Sequence, residues 1–422
     1  MVMALQIGGG AIVLLALLQA LVGLAGQVGA AIRNRRMDER RVSAFKAQTD
    51  MLIERAQTER ARSQLTWSGK RKFRLVSREV ENACGDICSF YLEPHDGGAL
   101  PPYLPGQFLT FELQIPDQPQ PVVRCYSLSD TPTEEGHYRV TIKRLGQHPA
   151  KPDAPPGLSS CYFHDVLKPG DVLDVLAPNG GFHLNVQSDR PVVLIAGGVG
   201  VTPVLSMLKW LAATGSHREV WFFYAARCGE DIALRTEIDA IIADNSSFHG
   251  VTIFSAPTPE CEKAKAFDRK GHLTVDLLKE TLGTSNYEFY VCGPPPMMEA
   301  VTTALEEWGV PEEDIHFEAF GPASVKQVSH DEAAAGEGAA RVTFSRSGKT
   351  LDWTPEAGTL LELADASGIR VNAGCRAGNC GTCATAVKEG KVRYLTKPAS
   401  KPAEGTALLC ISCPEGNLVL DA

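Results

Sequence analysis

A chain of 422 residues is too long for one ordinary core and calls for several domains. Its 41 basic and 50 acidic residues leave a net charge of −9, which excludes a nucleic-acid binder of the usual kind, because phosphate contacts need concentrated Lys and Arg. The 12 cysteines are spread over too great a length for a disulfide scaffold, so reduced thiols and a cytosolic catalytic body are expected.

The first 32 residues, "MVMALQIGGGAIVLLALLQALVGLAGQVGAAI", contain no charge, and about 20 apolar residues suffice for a helix to span a bilayer. No basic segment precedes the run, as a cleaved signal would require, whereas Arg33, Arg35, Arg36, Arg40 and Arg41 follow it. The expectation is a single-pass transmembrane anchor over 1–32 with the catalytic bulk in the cytoplasm. Residues 33–66 are rich in helix formers and mixed charge and read as a helical stalk.

From Trp67 the pattern changes to short runs such as "FRLVSREV", "QFLTFELQI" and "YRVTIKRL" between Pro- and Gly-rich turns, which predicts a β-barrel domain over 67–187. Strands then alternate with helices: "PVVLIAGG" before "TPVLSMLKWLAAT", then "EVWFFYAAR", then "YEFYVCGPPPMMEAVTTALEEWG". That alternation predicts a doubly wound α/β domain over 188–322. Residues 323–340 are small and polar and read as a linker. The last unit is 341–422.

This last unit carries Cys375, Cys380 and Cys383 in C-x4-C-x2-C spacing, with Cys410 and Cys413 downstream. Four thiolates hold a [2Fe–2S] centre, and this spacing is the plant type. Zinc sites usually pair one C-x2-C with another close pair, whereas C-x4-C-x2-C plus one distant Cys is unusual for them. The segment resembles the plant-type ferredoxins, whose last ligand sits in an apolar "LLC" run with a proline four residues on. Cys410 with Pro414 matches that pattern and Cys413 does not. The resemblance implies an α+β β-grasp fold.

Upstream, "RCYSLSD" (124–130) resembles the R-x-Y-S signature of the ferredoxin–NADP reductase superfamily. Arg124 can pair with a phosphate, Tyr126 can cover a flavin face, and Ser127 can hydrogen-bond near the flavin N5. "TIKR" matches the family's next flavin-lining strand, with Thr141 and Lys143. "GLSSCYF" matches its pyrophosphate loop, with Gly157, Ser159 and Ser160, which favours FAD over FMN. "GGVGVTP" matches the turn that holds the nicotinamide dinucleotide, through Gly197, Gly198, Gly200, Thr202 and Pro203. "CGP" (Cys292, Gly293, Pro294) matches the turn beside the nicotinamide, and Glu318 and Phe320 match residues near the flavin ring.

The resemblance covers the chain from Trp67 to its end. It implies an NAD(P)H-dependent reductase that passes electrons through FAD and a two-iron cluster to an outside acceptor: an oxygenase, a desaturase, a haem protein or a quinone. Ser127, Cys292 and Glu318 stand nearest the chemistry. Arg227, at the end of "WFFYAAR", suits the extra phosphate of NADPH, but Glu230 and Asp231 follow closely, and NADH stays open. A redox-sensing membrane module with incidental turnover is the alternative class. Cys84, Cys88, Cys125, Cys161, Cys228 and Cys261 read as packing or surface thiols.

Overall fold

The structure is a computed structural model describing residues 49, 56–132, 136–147, 155–318, 320, 340–371, 373–378, 381–395, 398 and 402–422. The chain divides into two units, Met1–Gln64 and Leu65–Ala422. In the first, the described residues 49 and 56–64 are helical, and the rest of the expected stalk lies outside the described residues. The expected membrane anchor, and with it a single-pass protein whose domains face the cytoplasm, is corrected. Among the described residues no helix is long and apolar enough to cross a membrane. The two long helices of the nucleotide sheet have 13 residues each, against the roughly 20 that a bilayer core requires. Residues 1–32 themselves lie outside the described residues.

In the second unit the first sheet comprises β1 (Lys70–Val80), β2 (Ile87–Pro94), β3 (Phe108–Leu113), β4 (Val122–Ser127), β5 (Tyr138–Lys143) and β6 (Val172–Asn179). They are antiparallel in the order β4-β3-β6-β1-β2-β5. Leu128, just past β4, bridges to Val140 of β5. The two edges of the sheet therefore meet, and the sheet closes around a core of Phe73, Phe90, Phe111 and Phe163.

Next come β7 (Val192–Gly197), β8 (Val220–Ala226), β9 (Phe248–Phe254), β10 (Arg269–Lys270), β11 (Glu288–Cys292) and β12 (Ile315–Glu318). They form one parallel sheet in the order β10-β9-β8-β7-β11-β12. Strands β7 and β11 are buried at every residue, the continuous apolar pattern of a sheet covered on both faces. The chain leaves β7 toward β8 on one side and returns at β11 on the other, so the strand order reverses between these two strands. In open α/β sheets a ligand crevice lies at this point, outside the carboxyl ends of the strands.

The last sheet has β13 (Ala340–Phe344), β14 (Lys349–Trp353), β15 (Ala384–Tyr394), β16 (Thr406–Leu408) and β17 (Ser412–Leu420), ordered β14-β13-β17-β15-β16. The helix Leu360–Ala366 lays Leu360, Leu361 and Leu363 on it. Thr359 starts that helix through a capping box with Glu362, which satisfies two of the amides a helix start leaves open. A hairpin, a helix and a parallel return strand give the α+β arrangement that the resemblance implies.

Candidate functional site

Strand β4 pairs with β3, setting Tyr126 opposite Leu109 and Arg124 opposite Phe111. The Tyr126 ring meets Phe163 edge-on at 5.2 Å, and its hydroxyl donates to Ser159 Oγ at 2.9 Å. Burial pushes this phenol up to about 12, so it remains a donor throughout the working pH range. Arg124 donates from Nη1 to the Val123 carbonyl at 2.7 Å, and among the described residues no carboxylate lies within ion-pair distance of it. Burial first, then the like charge of Arg376, lower its pKa. A desolvated guanidinium without an acid partner suits a phosphate. Ser127 is 5% exposed at the strand end.

Lys143 pairs with Asp86 at 3.2 Å. The Thr141 hydroxyl is shared with Ser89 at 2.8 Å and Ser129 at 2.7 Å. Gly157, Ser159 and Ser160 form the start of a short helix. Ser160 Oγ donates to the Gly157 carbonyl at 3.0 Å and accepts the Leu145 amide at 3.1 Å. Its hydroxyl therefore shapes the loop before it can meet a ligand.

The second half of the site lies at the reversal point of the parallel sheet. Gly197 ends β7, Gly198 adopts φ +53°, and the helix Val201–Ala213 starts directly after Gly200. Thr202 donates from its hydroxyl to the Val199 carbonyl at 3.2 Å, and Pro203 is buried in the first turn. The positive end of a 13-residue helix and a bend of small residues together favour an anionic ligand. Across the crevice, Cys292, Gly293 and Pro294 follow β11. A Cβ on Gly200 would strike the Cys292 carbonyl and approach Gly293 N to 2.7 Å, so the two loops touch backbone to backbone. Cys292 is fully buried, and in register it stands between Ala196 and Glu318. Burial and then the Glu318 charge raise its pKa well above the usual thiol value, so it is a neutral thiol. Phe320 is 37% exposed, leaving a ring face available. Arg227 lies farther out, its side chain 74% exposed and paired with Asp231 at 3.3 Å.

One feature escapes sequence reasoning because its members come from different domains. Asp130 closes the "RCYSLSD" stretch, and its carbonyl accepts the Tyr103 hydroxyl and the Ser206 hydroxyl, each at 2.6 Å. Its carboxylate pairs with Lys209, one turn along from Ser206 on the helix that starts at Gly200. Lys209 also reaches Glu237 at 2.6 Å, and Glu237 takes Arg139 of β5 at 3.1 Å. Burial works to raise the Asp130 pKa, but Arg139 and Lys209 outweigh it and hold the carboxyl below its ordinary value. Replacing Asp130 by Asn should destabilise the protein by about 1.5–3 kcal/mol, the worth of a hydrogen bond to a charged group, because Glu237 still pairs with Lys209 and Arg139. Because the folded pKa is depressed, this contribution is complete above the ordinary carboxylate value and fades as pH falls through the depressed one. Urea unfolding of both forms between neutral and acid pH measures it.

In the third domain Cys383 donates its thiol hydrogen to Cys410 Sγ at 3.2 Å, and Cys375 Sγ accepts the Ala377 amide at 3.4 Å. The bond with Cys383, burial and the Cys375 sulfur all drive the Cys410 pKa upward, against one amide from Gly378. Such sulfurs are neutral thiols, and a metal bound among them would take the place of their protons. Gly378 has φ +78°, and a Cβ there would come within 2.5 Å of Ile411 Cδ1, so glycine lets the loop lie against the 3-10 turn Leu409–Ile411 that bears Cys410. Cys413 points elsewhere, to the Arg393 carbonyl at 3.7 Å. Cys380 lies outside the described residues, and among the described residues no group of three or more ligand side chains is closed. The donor chemistry at all three places fits the groups expected there.

Family models match in the same order. An oxidoreductase FAD-binding domain matches residues 73–184, an oxidoreductase NAD-binding domain 194–303, and a 2Fe-2S iron-sulfur cluster binding domain 342–415. The flavohemoprotein of Halalkalibacterium halodurans is 38% identical over 257 residues, which is 61% of each chain. That of Bacillus thuringiensis subsp. konkukian is 40% identical over 261 residues, 62% of this chain and 63% of its own. The chain thus spans about three fifths of the length of the curated relatives it matches. Among solved structures, the flavohem-like FAD/NAD binding domain of nitric oxide dioxygenase from Vibrio cholerae O1 biovar El Tor is 31% identical, with a TM-score of 0.53, over 60% of this chain and all of that one. Phthalate dioxygenase reductase, described as a modular structure for electron transfer from pyridine nucleotides to [2Fe-2S], is 27% identical with a TM-score of 0.54. That match takes in 84% of this chain and 98% of the reductase. The chain belongs to the ferredoxin–NADP reductase superfamily with a 2Fe-2S domain: it is an NAD(P)H-dependent flavin iron–sulfur oxidoreductase whose cofactors are FAD, a [2Fe-2S] cluster and NADH or NADPH.

Proposed function

We propose that this reductase feeds electrons from NADH or NADPH to a separate redox partner, with an oxygenase component, desaturase, haem protein or quinone as the acceptor class. The observation that carries the reading is the tie between the two halves of the site. The chain segment bearing Arg124, Tyr126 and Ser127 ends at Asp130, which is bonded to Ser206 and Lys209 on the very helix that starts at Gly200. A rigid link of this kind holds a flavin ring and a nicotinamide in fixed register, which is the arrangement a direct transfer needs. The likeness to phthalate dioxygenase reductase over nearly its full length supports an oxygenase-type acceptor.

In this reading 67–187 is the FAD domain, 188–322 the nucleotide domain, 323–340 a linker and 341–422 the cluster domain. When bound, the nicotinamide supplies a hydride, the flavin stores the pair and the two-iron centre releases single electrons. The chain's own residues bind and orient. Arg124 would pair with a flavin phosphate, and Gly157, Ser159 and Ser160 would line its diphosphate. Tyr126 and Phe320 would pack on the flavin ring, and Ser127 would hydrogen-bond to it. Gly197, Gly198, Gly200, Thr202 and Pro203 seat the nucleotide diphosphate, and Gly293 and Pro294 close over it. Cys292 keeps its proton and, with the other fully buried residues of β11, keeps water from the transfer path. Glu318 orients the carboxamide. Arg227 and Asp231 border the adenosine ribose. Cys375, Cys380, Cys383 and Cys410 hold the cluster.

Purified protein with NADH and NADPH should reduce ferricyanide and cytochrome c with turnover of roughly 1–1000 per second, the ordinary enzymatic range. Negligible turnover in fully flavin-loaded protein would sink the reading. Arg124→Ala should weaken FAD retention by about 1.5–3 kcal/mol, the worth of a charged hydrogen bond, on the order of ten- to hundredfold. Flavin released on dilution, followed by fluorescence, is the measure, and Arg124→Lys should recover part of the loss.

A further inference from the structure

Cys84 sits in the turn between β1 and β2 of the barrel, and Cys228 in the loop after β8 of the parallel sheet. The two segments are stitched together by main chain. The Cys84 amide donates to the Glu230 carbonyl at 3.3 Å, and the Leu234 amide to the Glu81 carbonyl at 3.2 Å. Asp231 stands between the thiols: Oδ1 accepts the Cys84 thiol at 3.9 Å and Oδ2 the Cys228 thiol at 3.2 Å. Two sulfurs from two domains therefore share the two oxygens of one carboxylate. A third thiol nearby is turned away, since Cys261 Sγ accepts the Gly229 amide and the Thr258 hydroxyl, each at 3.3 Å.

We propose that Cys84 and Cys228 form an oxidisable pair, closing to a disulfide that staples the barrel to the nucleotide sheet. The oxidant is a low-molecular-weight disulfide. Cys84 is exposed and Cys228 is 4% exposed, so the order of events is fixed. The Cys84 sulfur attacks the small disulfide, its S–S bond breaks, and one small thiol leaves with the Cys84 proton. Cys228 then attacks the Cys84 sulfur, and the second small thiol leaves with the Cys228 proton. Two protein thiols become one disulfide, and one small disulfide becomes two small thiols. The Asp231 carboxylate, which also pairs with Arg227 at 3.3 Å, accepts both thiol hydrogens and so gathers the two sulfurs around it. Burial and that same charge raise the pKa of both thiols. The thiolate is the attacking form, so these raised values slow the exchange at neutral pH and it quickens as pH rises. The loop and the turn are already bonded to one another, and closure requires the Asp231 carboxylate to move out from between the sulfurs.

The test uses the whole protein with flavin and cluster in place. It is incubated with glutathione disulfide, alkylated, digested and mapped by mass spectrometry without reduction. A peptide joining residues 84 and 228, two fewer alkylatable thiols, reversal by dithiothreitol and an unchanged visible spectrum are expected. Cys84→Ser and Cys228→Ser, which keep a hydroxyl on Asp231, should each form no cross-link and fold as the parent does. A stable glutathione adduct on Cys84 with Cys228 still alkylatable would overturn the proposal. So would full alkylation of both residues after prolonged exposure.

Discussion

Cys410→Ser should yield a protein that keeps its yellow flavin but loses the cluster's visible absorbance and its paramagnetic signal after dithionite. Reduction of cytochrome c should fall by more than about 100-fold, the upper cost of losing even an outer-shell partner of a metal ligand. Bleaching of the flavin by NADH under argon should continue at its parent rate, because the crevice between β7 and β11 is separate from the cysteine loop. Cys413→Ser is the control. Its sulfur lies on the Arg393 carbonyl while Cys410 lies on Cys383, so the cluster signals should survive. The opposite pattern in the two variants would move the fourth ligand to Cys413.

The second large effect is expected at Gly200. A methyl group there runs into the carbonyl of Cys292 and the nitrogen of Gly293, both backbone atoms that cannot rotate aside. The two loops must separate, and the nucleotide seat opens with them. Gly200→Ala should lower kcat/KM for the nicotinamide nucleotide by on the order of 100-fold, the usual penalty for an ångström of misplacement. Flavin content and cluster absorbance should be unchanged. Gly198 makes the contrast. It has φ +53° but nothing within 4 Å of a built Cβ. Gly198→Ala should cost only about 1–2 kcal/mol of backbone strain, and Gly198→Asn less. Steady-state kinetics on the three variants decide the matter. Equal losses at both positions would show that the backbone angle, and not the close approach of two loops, sets the requirement.

The residues that could be read from the chain are those whose meaning is local. Three cysteines within nine residues and a glycine turn before an amphipathic run announce their chemistry through spacing alone, because the backbone must wrap a small object tightly. At Thr141 spacing is silent. Every residue of β5 from Tyr138 to Ile142 is buried, since the closing barrel covers both sides of that strand. Alternation therefore cannot say which side faces the flavin. The Asp130 network fails for a different reason. Its charges come from β5, from the end of the flavin motif and from two helices of the next domain, and a linear pattern gives no sign that they meet. The uncharged segment at the N-terminus teaches caution of another sort, because hydropathy measures what a stretch tolerates and not where the chain puts it.

The Asp130 quartet also bears on how such proteins can be recombined. A hybrid that joins the barrel of one relative to the parallel sheet of another inherits Asp130 and Arg139 from one parent and Lys209 and Glu237 from the other. Unless the four travel together, the cross-domain pairs Asp130–Lys209 and Glu237–Arg139 are lost, and each half keeps only its own pair. Crossovers beyond β12 break none of these pairs, so the cluster module can be exchanged among oxidoreductases far more freely than the two halves that precede it.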